Sequence, residues 1–142
     1  MLREADAALL IGDAALRVWA RKPKGLHVYD LGQEWTSLTG EAMVYAVWAV
    51  RREYAEKNMA QVKNVLSAFK KSMRSSLRSI DRIAKEISRW EPFSERFLKS
   101  YFKTLRFEFG EPYQRGLLRF YGMAHGIDAI PRVPDLCFIP AS

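Results

Sequence analysis

The sequence predicts an α/β fold, and two observations carry the expectation. Three short apolar runs, residues 7–11, 26–31 and 43–50, are rich in Leu, Ile, Val, Tyr and Trp without strict alternation, the pattern of strands covered on both faces. From Tyr54 onward the apolar period changes to three or four residues, which is the helical spacing.

The first run, Ala7-Ala8-Leu9-Leu10-Ile11, ends at Gly12-Asp13, as a strand does before a helix. Asp13 is the expected N-cap of a helix through Leu16, Val18 and Trp19, and Pro23 to Gly25 should stop it. Residues 26–31 form the second expected strand, broken by Gly32, and residues 34–40 read as a connection. The third expected strand, 43–50, is the longest apolar run. Met59, Val62, Leu66, Phe69, Met73 and Leu77 then make one face of a long helix whose other side carries Lys63, Lys70, Lys71, Arg74 and Arg78. Ser79 and Ser94 are expected to start further helices, with Pro92 between them. Pro112 suits the first turn of a last helix and Gly126 its end, before a proline-containing tail, residues 131–142.

Composition narrows the function classes. The chain has 23 Lys and Arg against 16 Asp and Glu, a net charge of +7, so an anionic partner is favoured. Lys70, Lys71 and Arg74 lie close together, but no recognition motif accompanies them, and nucleic acid is not the expected partner. No apolar run approaches the ~20 residues of a membrane span, and Arg3, Glu4 and Asp6 do not suit a signal peptide. The single cysteine, Cys137, makes no internal disulfide and fits a reducing, cytoplasmic setting. There is no metal-ligand spacing, Gly-rich phosphate loop or serine elbow.

Several segments carry a family resemblance. Residues 5–16 (ADAALLIGDAAL), 29–35 (YDLGQEW), 39–49 (TGEAMVYAVWA) and 101–110 (YFKTLRFEFG), together with Ile130-Pro131-Arg132-Val133-Pro134, resemble the menaquinone biosynthetic enzymes of the futalosine pathway, chorismate dehydratases most of all. Where this sequence reads Glu41-Ala42-Met43, the family usually has Leu-Pro-Phe. The resemblance implies a type II periplasmic-binding-protein-like fold of two lobes with a cleft between them. Residues 1–40 would then be part of the second lobe and the crossover, and residues 41–142 would return to the first lobe as a strand plus C-terminal helices. It also implies a further N-terminal half that this chain lacks, so the chain by itself is expected to be inactive.

The implied reaction is loss of water from chorismate to give 3-[(1-carboxyvinyl)oxy]benzoate, with no cofactor. The alternative is a module that binds a small carboxylate without turnover. The cleft candidates are Gly12, Asp13, Asp30, Trp35 and Thr39, the first two beside a predicted helix start and the others on the predicted crossover. Catalytic residues are not assigned. His27 and His125 have no partner visible in the sequence and read as structural, and Arg106, among Phe102, Phe107 and Phe109, reads as a buried ion pair or cation–π contact. Three apolar strands are too few for a complete sheet, so the chain is expected to self-associate.

Overall fold

The computed structural model describes residues 5–139, and every regular element among them is an α-helix. The helices are α1 (Asp13–Arg21), α2 (Leu31–Thr39), α3 (Arg52–Lys57), α4 (Met59–Arg78), α5 (Ile80–Ile87), α6 (Glu95–Thr104) and α7 (Glu111–Gly126). The α/β expectation, and with it the two-lobed binding-protein-like fold, is therefore overturned. Residues 7–11, 26–30 and 43–50 are all outside helices, but none is paired into a strand. The physical reason is that apolar patterning records which side chains seek cover, whereas a strand exists only where a neighbour completes its hydrogen bonds. Here the cover is lacking: Ile11 is 81 % and Trp48 82 % exposed.

The helical expectations fare better, because their signals are local. Ser94 caps α6, its hydroxyl accepting from the Phe97 N–H at 3.2 Å, and Pro112 lies in the first turn of α7. The start of α1 is a correction. Gly12, not Asp13, is the N-cap, at φ 63° and ψ −140°, a conformation open essentially to glycine alone. Asp13 is the first helical residue, where its charge complements the positive end of the helix dipole.

The chain divides into two compact units, residues 1–28 with 76–105 and residues 29–75 with 106–142. The first unit is organised by α5 and α6. Ala84 is completely buried, and its small side chain lets the helices approach closely, with Phe93 and Leu98 completing the buried cluster. Leu16, Ile87, Phe97 and Phe102 pack around these three, and the rings of Phe93 and Phe97 stack at 5.3 Å. On the outside Lys99 bridges the two helices, 3.1 Å from Asp81 and 2.8 Å from Glu95. These two carboxylates, Glu95 first, hold the Lys99 ammonium above its ordinary pKa.

In the second unit Leu117 and Ala55 are buried, and α7 lies against the segment that follows α2. Gly116 makes that approach possible: a Cβ there would overlap the Ala42 carbonyl. Arg115, one residue earlier, reaches Glu41 at 3.6 Å and Glu111 at 3.1 Å. The tail carries no regular structure as far as residue 139, and it is held to this unit by Phe138 on Phe109, ring centroids 5.9 Å apart, and by the Arg52 guanidinium donating to Cys137 Sγ at 3.3 Å. Residues 140–142 of the expected tail lie outside the described residues.

Leu98→Ala should lower stability by about 2–4 kcal/mol in urea unfolding, because it opens a cavity in the α5–α6 cluster. Leu38→Ala, at a position 75 % exposed, should stay within about 0.5 kcal/mol of the unmodified chain.

Candidate functional site

The richest polar arrangement surrounds α2, a helix that sequence reading misses. Residues 34–40 read as a connection because Gly32, Thr36 and Thr39 are modest helix formers. Two terminal signals nevertheless define it. Asp30 is its N-cap, one carboxylate oxygen accepting from the Gly32 N–H at 2.9 Å and the Gln33 N–H at 3.3 Å. Gly40 closes it in the left-handed region, φ 74°.

Tyr45 completes the arrangement. Its hydroxyl donates to the same Asp30 oxygen at 3.4 Å and sits over Gly32, where a side chain would collide with it. Three donors thus converge on one oxygen of Asp30. The Tyr45 phenol is pushed above the ordinary tyrosine value by partial burial of its hydroxyl end, then by the Asp30 carboxylate through its charge and hydrogen bond; the Gly32 backbone contact acts weakly in the other direction. Tyr45 as a whole residue is 72 % exposed. Tyr45 is 15 residues from Asp30, and no local periodicity links the two.

The other candidates on this helix serve its geometry. The Thr39 hydroxyl donates to the Trp35 carbonyl at 2.8 Å and accepts from the Glu41 N–H at 3.2 Å, which turns the chain out of α2. The Trp35 indole packs on Phe120, centroids 5.8 Å apart, with its buried N–H unpaired among the described residues. Asp30, Trp35 and Thr39 are thereby gathered on one short helix, joined by Tyr45. Gly12 and Asp13 belong to the other compact unit.

The bland readings of the remaining residues divide. His125 Nδ1 is 3.2 Å from the Ile130 carbonyl, a contact that ties the end of α7 to the following loop. Arg106 is exposed, and so is Phe107, so the burial expected there is a correction. His27 is exposed rather than enclosed in a sheet. Among the described residues no three His, Cys, Asp or Glu side chains are grouped to hold a metal ion, and no helix is long and apolar enough to cross a membrane. A shallow groove along α6, lined by Glu95, Arg96, Lys99, Ser100 and Lys103, contains none of the candidates.

Geometry thus defines a helical protein with a hydrogen-bonded Asp30–Tyr45 pair at the start of α2. Residues 1–126 match the family model described as menaquinone biosynthesis, and the chain belongs to that family, with a role in menaquinone biosynthesis. Four of the five segments that carry the resemblance fall inside the match, and residues 130–134 lie beyond it.

The Tyr45 contact has a defined pH signature. Because its pKa is raised on folding, its contribution to stability is full below the ordinary value of 10.0 and is lost as the pH climbs through the higher folded value. The difference in phenolate absorbance between the chain and Tyr45→Phe should place this ionisation above that of an ordinary tyrosine. Asp30→Asn should bring it part of the way back, since the burial contribution persists. The same substitution should keep the helix cap, whereas Asp30→Ala should cost about 1 kcal/mol.

Proposed function

We propose that this chain takes part in the dehydration of chorismate to 3-[(1-carboxyvinyl)oxy]benzoate, and that turnover requires a further stretch of polypeptide. The observation that carries this reading is the family match over residues 1–126; the quoted segments favour the dehydratase among family members. A net charge of +7 suits a substrate with two carboxylates.

The reaction removes a ring proton and a hydroxyl, so it needs a base, a group to assist the departing oxygen, and a water-excluding cleft. The α2 arrangement supports only part of this. Asp30 accepts from three donors through one oxygen, so that oxygen is already engaged in holding the helix start and Tyr45. Tyr45, held protonated, is suited to donating a hydrogen bond rather than to taking a proton. The base and the opposing wall of the cleft are therefore assigned to the additional polypeptide.

The test compares this chain alone with the chain joined behind the N-terminal half of a family dehydratase, following chorismate and product by chromatography. The joined protein should turn over and the chain alone should not. Product from the chain alone would remove the need for further polypeptide, and chorismate binding without product in the joined protein would favour a carboxylate-binding module. In an active joined protein, Asp13→Asn should leave kcat within about twofold, as expected of a residue that complements a helix dipole. A kcat loss of about tenfold or more with unchanged Tm would instead give Asp13 a part in the reaction.

A further inference from the structure

Residues 42–51 run without helix, turn or bend between α2 and α3, and among the described residues no backbone N–H or C=O of residues 43–50 is hydrogen-bonded. Helices of the same unit hold this run in place. The Ala42 carbonyl is seated on Gly116, the Tyr45 hydroxyl on Asp30, and the Trp48 ring on Phe69 with centroids 4.4 Å apart. Even so, Tyr45 and Trp48 remain largely exposed, and Val47 and Val50 partly so. A fixed, straight, apolar run with an unpaired backbone is a template for strand addition.

From these features we infer that the run pairs with the same run of a second copy, antiparallel and centred on Ala46. Surface area supports an interface. The chain exposes 12078 Å². Two independent globules the size of its two units would together expose only about 9,000 Å². The surplus exceeds the ~800 Å² per partner that a standard interface buries.

Charge and symmetry select the occupant and the register. The run is acidic at its start, Glu41, and basic at its end, Arg51 and Arg52. A parallel second copy would set Glu41 against Glu41, whereas an antiparallel copy brings Glu41 to the basic end. A two-fold axis through the pair requires a residue to face its own counterpart, because side chains alternate between faces. Centring on Ala46 sets Glu41 opposite Arg51, Val44 opposite Trp48 and Tyr45 opposite Val47, so aromatic and β-branched side chains meet twice over. Centring on Val47 would instead oppose Glu41 to Glu53 and Met43 to Arg51. The Ala46 register pairs Glu41 with Arg51, leaves Arg52 beyond the paired run opposite Gly40, and gives every apolar side chain of residues 42–50 an apolar partner. Glu41 already touches Arg115, at 3.6 Å, and that loose contact leaves its carboxylate able to serve both. None of this depends on which reaction the chain assists.

The experiment follows the oligomeric state of the whole chain by sedimentation equilibrium and its register by cysteine crosslinking in a Cys137→Ser background. The unmodified chain should dimerise at micromolar concentration. Arg51→Glu should weaken the dimer about tenfold, and adding Glu41→Arg should restore it to within about threefold. Arg51 makes no side-chain cap contact, so its replacement removes none from α3, and far-UV dichroism verifies the fold of each variant. Ala46→Cys should oxidise to a disulfide dimer, while Met43→Cys, whose counterpart would lie about 20 Å away, should not. A monomer at all micromolar concentrations would overturn the inference, as would equal crosslinking at both positions, which signals parallel or unspecific pairing. Failure of the charge-reversed pair to restore the dimer would overturn it too.

Discussion

Five apolar side chains, Ala55, Ala84, Phe93, Leu98 and Leu117, are the ones buried among the described residues, and this scarcity governs the rest of the structure. Nearly half of the sequence is hydrophobic, so most of its apolar side chains are left partly or wholly in water. Apolar burial is the dominant favourable term in folding. Among the described residues stability therefore rests on a few close contacts, such as that of Ala84 on α5 with the residues of α6. Ion pairs do not make up the difference. Those of Arg115 and Lys99 lie at the surface, where screening and side-chain entropy leave little net gain.

The same scarcity shapes the candidate site. A small-molecule site needs walls that exclude water, and α2 with Tyr45 provides one ordered surface rather than an enclosure. What this surface does offer is rigidity. The N-cap carboxylate, the Thr39 turn and the Trp35–Phe120 contact fix both ends and one side of a nine-residue helix that has little intrinsic propensity. Donors and acceptors here are largely spent on each other, which is how a positioning element differs from reactive machinery. Membership of the menaquinone biosynthesis family and the partial character of this surface are thus compatible.

Legibility of the fold in the sequence followed the range of the interactions. Helices α1, α4, α5, α6 and α7 were readable from their apolar spacing and from Ser94, Pro92 and Pro112, because caps and breakers act within a turn or two. Helix α2 was hidden by its composition, although Asp30 and Gly40 marked both ends. The strands failed for a different reason: residues 7–11, 26–31 and 43–50 carry strand-like composition, and composition does not supply the neighbour that a strand needs. At the site, Asp30, Trp35 and Thr39 were accessible to sequence reading as a group on one connection, whereas Tyr45 was not.

By itself, then, the sequence determined the charge balance, the helical stripes, the family membership carried by its separated segments, and the presence of apolar runs that seek cover. All of these are properties of residues and their near neighbours. Tertiary structure alone decided that Gly12 rather than Asp13 begins α1, that Tyr45 closes on Asp30, that Gly116 admits the Ala42 carbonyl, and that the apolar runs remain unpaired. Each of these depends on backbone geometry or on atoms brought together from distant positions, which chain order does not encode locally.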